Sequence, residues 1–449
     1  MENKEDIRVV QELLEQKQYM KLRNLLQEYN ETDIAEILEE MGKEDMLRCF
    51  RILPKGMAAD VFSYMDVDNA QYIITSLSDK DAKQILDNLM VDDAVDFLEE
   101  MPANVVTRAL AIASPETRRD INHLLKYPED SAGSIMTVEY IDIKQNLTVG
   151  QAIERVRSKA VDSVTINYCY VLDDRRKLIG IVALRQLLLK KEDVLISEIM
   201  DENVISVHTL MDQEAVADLF MRYDFSAMPV VDNDQRLVGV ITADDVMDIL
   251  EEETTEDIEL MNAIVPGDKP YMKTGTVELW KSRIPWLMLL MISSTFTGQI
   301  IASFEDALSA CVVLTVFIPM LMGTGGNAGG QASATIIRGL SVNDIEFSDL
   351  FRVIWKEVQV AFLCGMTLAA CNFLKLIYFD KTTFTVAVVV SLTMALVVLL
   401  AKVVGCMLPM IVKRIGLDPA VIASPFITTI VDALSLMIYF RIATTLLHL

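Results

Sequence analysis

The chain has 449 residues, with 40 basic and 65 acidic side chains, 52% hydrophobic residues and a mean hydropathy of +0.32. A positive mean hydropathy beside a net charge of −25 excludes one uniform globule, because so much apolar surface and so much charge require different solvents. Residues 271–449 hold 10 acidic and 12 basic side chains, which leaves 55 acidic and 28 basic ones for residues 1–270. We therefore expect an acidic, water-soluble region followed by a membrane region. Negative charge of this size argues against nucleic acid as a partner and favours metal cations.

Cysteine usage and the N-terminus both favour the cytoplasm for the soluble region. The six cysteines include no CxxC pair, and four of them lie in apolar runs, which is typical of small buried residues in a reducing compartment. The N-terminal sequence MENKEDIRVV is charged and has no apolar segment of the kind found in cleaved signal peptides. We therefore expect the soluble region to stay in the cytoplasm.

Residues 1–130 are predicted to form an all-α helical repeat domain. Apolar residues recur at three- and four-residue spacing, and similar segments repeat every 24 residues, at 34–38, 58–62 and 82–86. Pro54 and Pro102 punctuate this pattern. Short helices at a fixed period are typical of a helical solenoid, whose handedness the pattern does not determine.

A second repeat follows, in which segment 170–182 matches segment 229–241 at an offset of 59 residues. Each copy predicts strand, turn, strand and helix, with Gly180 or Gly239 at the turn and an Ile-Met pair before it. The pattern resembles a tandem pair of CBS domains, an α/β module that usually senses a small ligand. A purely structural α/β repeat is the alternative. The two predicted domains are 131–198 and 199–252.

A connecting helix is predicted at residues 253–280, between this pair and the membrane. It includes most of the acidic sequence EEETTEDI (251–258) and ends before Pro266. A carboxylate-rich face beside one apolar stripe would let such a helix dock on a pore or leave it, and a solvated spacer is the alternative. The stripe consists of Val246, Ile249, Leu250 and Ile258.

Residues 281–449 are predicted to form a transmembrane domain with five α-helices. Five apolar stretches reach the roughly 20 residues that a bilayer requires. Lys and Arg concentrate in the loops on the N-terminal side, which predicts a cytoplasmic N-terminus and, with an odd number of spans, an external C-terminus. The spans lie near 284–304, 307–337, 353–379, 383–412 and 420–447.

The second span contains five glycines and Pro319 within residues 319–331. Glycine at this density weakens a helix, and unwound backbone is tolerated in a bilayer only where it is buried in protein or lines a watery cavity. We therefore expect unwound backbone whose carbonyls accept hydrogen bonds from the water shell of a cation. Close helix packing through small residues is the alternative.

The fifth span holds a single carboxylate, Asp432. An acidic residue inside a span is costly and is usually retained for an ion path, so Asp432 is the strongest candidate site in the chain. Thr428 and Thr429 lie four and three residues before it and should share its helix face, and Pro425 should release a backbone carbonyl one turn earlier. The alternative is a structural ion pair with a basic residue of the spans, Lys402 or Arg441.

The ligand atoms predicted around Asp432 favour magnesium. One carboxylate with hydroxyls and carbonyls is a hard-oxygen site, and the sequence offers no set of His or Cys for zinc or copper. Mg²⁺ gives up its waters reluctantly, so a pore with one charge and many hydrogen-bonding groups suits it better than it suits Ca²⁺, which prefers several direct oxygen ligands.

Several motifs together resemble the MgtE family of bacterial magnesium channels or transporters, in the same order over essentially the whole chain. They are GTGGNAGGQ (323–331), DPAVIASPFITTIVD (418–432), EEETTEDI and the CBS-like pair after a helical repeat. The resemblance implies a homodimer in an inner membrane, with a pore lined by the second and fifth spans. It implies that Asp432 holds hydrated Mg²⁺ near Gly325, Gly326, Asn327 and Thr428. Ser424 departs from the asparagine expected before the proline, which leaves the inner ligand shell and the selectivity open.

The resemblance also implies that cytosolic Mg²⁺ regulates the pore. Plentiful Mg²⁺ would neutralise carboxylates that face one another in a compact state and so close the pore, whereas scarce Mg²⁺ would let repulsion open it. The implied regulatory residues are Asp92, Asp93, Asp96, Asp224, Asp245, Asp248, Glu253, Glu256, Asp257 and Asp418. The CBS pair fits either a cleft for an adenine nucleotide such as ATP or a plain dimer interface.

Two other functions compete with magnesium uptake. A divalent-cation exporter or exchanger with a CBS regulatory module is the alternative within transport, but coupling would want polar relay residues across several spans, and few are present. A membrane-bound enzyme would need a catalytic group, and the three histidines, His123, His208 and His448, are isolated. The sequence therefore predicts a passive channel rather than an enzyme.

Overall fold

The structure is a computed structural model that describes residues 3–267, 271–272, 274–422 and 424–448. The chain divides into two compact units, Met1–Leu250 and Glu251–Leu449. The first contains the helical repeat and two small sheets, and the second contains the long apolar helices. The predicted order of helical domain, α/β pair and helical membrane domain is therefore confirmed.

Ten helices form the first part of the chain. They are α1 (Asn3–Glu15), α2 (Tyr19–Leu26), α3 (Glu31–Glu39), α4 (Lys43–Phe50), α5 (Lys55–Ser63), α6 (Val67–Ser76), α7 (Asp79–Leu86), α8 (Val91–Glu99), α9 (Ala103–Ile112) and α10 (Pro115–Leu124). From α2 onward the helices begin 12 residues apart, so the repeat of 24 residues is one pair of helices. Each helix buries one apolar face, and α3, α5, α7 and α9 pack on one another in succession. Pro54 and Pro102 stand directly before α5 and α9.

Two three-stranded sheets follow with the same topology, in which the first strand pairs parallel with the second and the second antiparallel with the third. Gly180 and Gly239 lie inside the third strands, so their predicted place in turns is wrong. The sulfur atoms of Met200 and Met136 fill the space where their Cβ atoms would lie, at 2.9 and 2.6 Å. The elements are β1 (Asp142–Lys144), α11 (Val149–Lys159), β2 (Tyr168–Leu172), β3 (Leu178–Ala183), α12 (Leu184–Leu189), β4 (Val207–His208), α13 (Gln213–Tyr223), β5 (Ala227–Val231), β6 (Leu237–Thr242) and α14 (Ala243–Met261).

The helix α14 is continuous across the predicted boundary between residues 252 and 253. The predicted apolar stripe is wrong at one position, because Ile258 is exposed and Leu260 is buried instead. An α-helix turns about 100° per residue, so Leu260 lies on the face of Ile249 after three turns, whereas Ile258 lies on the opposite face.

The second unit consists of α15 (Thr276–Ser303), α16 (Glu305–Ala310), α17 (Val313–Ser341), α18 (Leu350–Tyr378), α19 (Phe384–Arg414), α20 (Pro419–Ile422) and α21 (Ser424–Leu447). Among the described residues, four helices are long and apolar enough to cross a membrane: α15, α18 with its preceding turn, α19 and the part of α21 from Pro425. The helix α17 has 29 residues and is not among these four. The predicted count of five spanning helices is therefore not confirmed by this criterion.

The glycine-rich segment is regular α-helix inside α17, so the predicted unwound backbone is wrong. In a bilayer every backbone N–H and C=O needs a partner, and a helix supplies these partners internally. Packing of α17 against α19 and α21 offsets the low helix propensity of glycine. The carbonyls of this segment are therefore not freed for the water shell of an ion.

Candidate pore site

A cavity of about 390 Å³ lies between α17 and α21. Among the described residues one carboxylate lines it, that of Asp432, and the other lining groups are neutral amides, a hydroxyl, a thioether and bare backbone. The lining residues are Met322, Gly323, Gly326, Asn327, Gly330, Gln331, Thr428 and Asp432. The structure therefore brings four of the predicted pore residues, Gly326, Asn327, Thr428 and Asp432, to one place.

The α17 residues that line the cavity follow a helical spacing. Gly323, Asn327 and Gln331 are four residues apart, and Gly326 and Gly330 lie beside them on the same face. The pore residues predicted from the family resemblance did not include Gln331. Helical spacing counted from Asn327 would have found it.

Gly325 lies on the opposite side of α17, away from the cavity lining. A Cβ atom there would be 2.8 Å from Val397 Cγ1 and 2.9 Å from Val431 Cγ1, so the position accepts only glycine without a shift of its neighbours. Close packing through small residues therefore explains this face, and a polar cavity explains the other. The structure does not place Gly325 with the other predicted pore residues.

Asp432 has a carboxylate oxygen, Oδ1, that is buried and has no hydrogen-bond partner among the described residues. The hydroxyl of Thr429 donates to the carbonyl of Pro425 at 3.0 Å. Pro425 lies in the first turn of α21, where its missing N–H leaves no carbonyl of that helix unpaired. The carbonyl one turn earlier belongs to α20, before α21 begins, so its predicted release stays a prediction. Ser424 is the first residue of α21, and its side chain lies outside the described residues.

The structural ion pair considered for Asp432 is not formed by Lys402. The Nζ atom of Lys402 lies 3.5 Å from Oε2 of Glu357 on α18, a partner that the prediction missed. Arg441 is exposed, and nine residues of helix place it on the face opposite Asp432. An Asp near the centre of a membrane helix costs roughly 2.5–3.5 kcal/mol, so an unpaired oxygen there attracts a cation.

A group of carboxylates meets in the first unit. Asp92 and Asp93 lie in the first turn of α8, and Asp245 lies in the first turn of α14. Burial, then repulsion from neighbouring carboxylates, raises the pKa of Asp92 well above its ordinary value and that of Asp93 to about 6. Burial also raises the pKa of Asp245, whose carboxylate accepts a 2.6 Å hydrogen bond from the Thr242 hydroxyl.

The prediction missed Glu139, which belongs to the same group. Its Oε1 accepts a hydrogen bond from the backbone N–H of Val91 at 3.3 Å, so it caps the start of α8. Its Oε2 accepts from the N–H of Val138 and from the hydroxyl of Thr137. Glu139 and Val91 are 48 residues apart, and no local pattern links them.

Three other predicted regulatory residues of the first unit, Asp96, Asp224 and Asp248, are exposed. In the second unit, burial, then repulsion from Asp418 and Glu253, raises the pKa of Asp257, and Arg338 opposes this effect.

These carboxylates do not form a direct metal site. Within the described ranges, no three His, Cys, Asp or Glu side chains come close enough to hold an ion. The predicted regulatory residues did not include Arg338, whose positive charge acts on the Asp257 carboxylate. Glu256 is exposed on α14.

Four apolar helices of membrane length, together with a polar cavity that a described carboxylate lines, are typical of a membrane transporter of cations. Comparisons agree: a family described as MgtE, divalent cation transporter, matches residues 318–442, the MgtE intracellular N domain matches 29–130, and CBS domains match 132–192 and 196–252. The chain is 37% identical to a magnesium transporter of Thermus thermophilus over 98% of both chains, and 33% identical to one of Bacillus subtilis over 94% of this chain and 96% of that one. It belongs to the MgtE family of magnesium transporters and is not an enzyme.

The soluble region also resembles solved structures. The soluble part of a magnesium transporter matches 56% of this chain and 99% of its own, with a TM-score of 0.53 and 32% identity. The cytosolic domain of the Mg²⁺ channel MgtE in complex with ATP matches 54% of this chain and 99% of its own, with a TM-score of 0.52 and 35% identity.

Proposed function

We propose that this transporter is a channel for Mg²⁺ uptake into the cytoplasm, closed by cytosolic Mg²⁺. The observation that carries the conduction path is the buried Oδ1 of Asp432, which has no hydrogen-bond partner within the described part of the chain and lies in a cavity whose other described lining residues are neutral. A single negative charge attracts the divalent ion, and the neutral groups contact its waters, so the ion need not be dehydrated.

We include a second copy of the chain in the pore. Asn327 and Gln331 line the cavity and are exposed in the single chain. Amides at membrane depth need a polar or watery surrounding rather than lipid, because hydrocarbon offers them no hydrogen bonds. A second copy, related by a twofold axis, would place its own α17 and α21 opposite these helices and so enclose the cavity between the two copies.

The proposed regulation uses the acidic groups. Asp92, Asp93, Asp245 and Glu139 repel one another when the first unit is compact, and a hydrated cation between them offsets the repulsion. Mg²⁺ therefore favours the compact state, because it binds this state more tightly than the state in which the carboxylates are apart. The continuous helix α14 carries Asp245 in its first turn, and Leu260 near its end packs against Ile337 of α17 and Ala420. Cation binding at the start of this helix can therefore affect α17 at its end.

The proposal assigns the soluble unit to the cytoplasm and the C-terminus to the outside. Lys413 at the end of α19 donates to the Leu340 carbonyl at the end of α17, so these basic ends share one side, as the excess of Lys and Arg in cytoplasmic loops requires. ATP is a proposed ligand of the CBS pair, because the related cytosolic domain was solved with it.

The test is Mg²⁺ flux into liposomes that contain the purified chain, with Mg²⁺ varied on the side of the soluble unit. We expect flux at low Mg²⁺ and its suppression at high Mg²⁺. Absence of flux under every condition contradicts conduction, whereas flux that requires a counter-ion gradient favours an exchanger. Flux that is insensitive to Mg²⁺ on that side contradicts the regulation alone.

The double substitution Asp92→Asn/Asp245→Asn is expected to flatten the dependence of flux on cytosolic Mg²⁺. Removing two charges weakens both the repulsion that opens the compact state and the attraction for the ion that closes it. We expect the change in flux across the Mg²⁺ range to shrink by about tenfold. Asp68→Asn, at an exposed position of α6, should leave the curve unchanged, and a double variant with the wild-type curve would refute this assignment.

The stability of the first unit should fall as pH rises from about 4 to 7. The pKa of Asp93 is about 6 in the fold against 3.8 ordinarily. Between these two values the folded state keeps a proton that the unfolded chain releases, so the free energy of unfolding falls as the pH rises, and the loss is complete above a pH of about 6. Asp93→Asn should remove about 2 kcal/mol of this decline. Thermal unfolding of a 1–250 fragment in EDTA at several pH values measures it, with Asp174→Asn, a 95% exposed position, as the control. Identical pH slopes for wild type and Asp93→Asn would contradict the prediction.

A further inference from the structure

Two charged side chains are buried together between α18 and α19, apart from the cavity. The Nζ atom of Lys402 lies 3.5 Å from Oε2 of Glu357, and the two side chains are only 7% and 14% exposed. Neither residue lines the cavity, which is formed by α17 and α21. Ionisable residues at this depth are rare and are kept in membrane helices for a function, because burying each charge is costly.

The helix that carries Lys402 also sets the position of the cavity-lining helix. Beside Lys402 on α19, the carbonyl oxygen of Ala401 lies 3.3 Å from the place where a Cβ of Gly329 would be. One turn on, a Cβ at Gly405 would overlap the Gly329 carbonyl. The backbones of α17 and α19 are therefore in direct contact at this level, and the residue after Gly329, Gly330, lines the cavity.

We propose that Lys402 and Glu357 are positioning residues of the pore. Lys402 and Gly405 are three residues apart on α19, so the direction in which Lys402 meets α18 and the direction in which Gly405 meets α17 differ by about 60°. Both directions change together when α19 rotates about its axis. The ion pair fixes the rotation of α19 against α18, and α19 in turn holds the backbone of α17 at Gly329. A rotation that breaks the pair moves Gly405 away from Gly329 and changes the width of the cavity beside Asn327 and Gly330.

The inference rests on the proposed conduction path, and its test separates the two. Full-length wild type, Lys402→Met, Glu357→Gln, the exchanged pair Lys402→Glu/Glu357→Lys and the apolar pair Lys402→Met/Glu357→Met are reconstituted in liposomes. Flux of Mg²⁺ and of Co²⁺ is measured per folded protein, with folding followed by size-exclusion chromatography and thermal unfolding. The ratio of the two fluxes is a readout that loss of folded protein does not move.

We expect each single variant to lower Mg²⁺ flux by about tenfold and to change the flux ratio, because the pair acts on the cavity through the packing of α19 against α17. The exchanged pair should restore the ratio, and the apolar pair should fold but not restore it. Lys375→Met is the matched control, because Lys375 pairs with Asp380 at 2.9 Å with its side chain 52% exposed, and it should leave flux and ratio unchanged.

Two results would overturn the inference. One is an apolar pair with wild-type flux and ratio, which would show that the charges only neutralise each other. The other is an exchanged pair that behaves like the single variants. If wild type itself gives no flux, or if Asp432→Asn leaves flux unchanged, the conduction path at Asp432 is refuted instead.

Discussion

Asp432→Asn is expected to remove nearly all Mg²⁺ flux while leaving the fold intact. Asparagine keeps the size of the side chain but removes the negative charge that Asp432 contributes to the cavity lining. The attraction between this charge and a divalent ion about 5 Å away amounts to roughly 2–7 kcal/mol at an effective dielectric constant of 20–80, which is more than tenfold in occupancy. The measurement is Mg²⁺ entry into liposomes, followed with an enclosed indicator.

The matched control is Asp344→Asn, which removes an exposed carboxylate after α17 and should leave flux unchanged. The thermal midpoint of Asp432→Asn should not fall, because the buried Oδ1 has no hydrogen-bond partner to lose among the described residues. Wild-type flux in this variant would place the ion path elsewhere. A collapse of the thermal midpoint would assign Asp432 a structural role.

Gly405→Ala is expected to disrupt the contact between α17 and α19. A methyl group at this position would overlap the carbonyl oxygen of Gly329, which belongs to the backbone and cannot rotate away. The helices must separate, so we expect a loss of about 1–3 kcal/mol in stability. Flux should fall as well, because Gly330, the residue after Gly329, lines the cavity. Thermal unfolding in detergent and liposome flux of the same preparation measure the two effects.

Gly298→Ala is the control for this substitution. Gly298 lies in α15, and no described atom outside its own stretch of helix stands within 4 Å of the place where its Cβ would be. Alanine there should leave flux unchanged and hold stability constant or raise it slightly, because alanine has the higher helix propensity. If Gly405→Ala matches Gly298→Ala in both measurements, the helices can adjust at Gly329, and the contact does not determine the cavity.

The sequence predicted well those features that depend on neighbouring residues. The repeat of 24 residues marked helix pairs because each short helix must bury one apolar face, and the offset of 59 residues marked two sheets with one topology. Asp432 stood out because a carboxylate in an apolar stretch is conspicuous without any structure.

Prediction was weaker where two properties of one residue type compete. Glycine lowers helix propensity but also allows helices to approach closely, and in α17 the packing dominates. The sequence could not decide between these effects, and the family resemblance assigned Gly325 to the pore and left out Gln331. The helical turn of α17 separates the two, with Gly325 against Val397 and Gln331 in the cavity wall.

The sequence by itself determined the order of domains, the apolar character of the helices in the second unit and the candidate carboxylate Asp432. Tertiary structure decided which side chains meet: Glu139 at the start of α8, Glu357 with Lys402, and Gly329 against Gly405. These partners are separated by 45 to 76 residues, as their numbers show. Local patterns record the face that a residue occupies, whereas its partner depends on how distant helices pack.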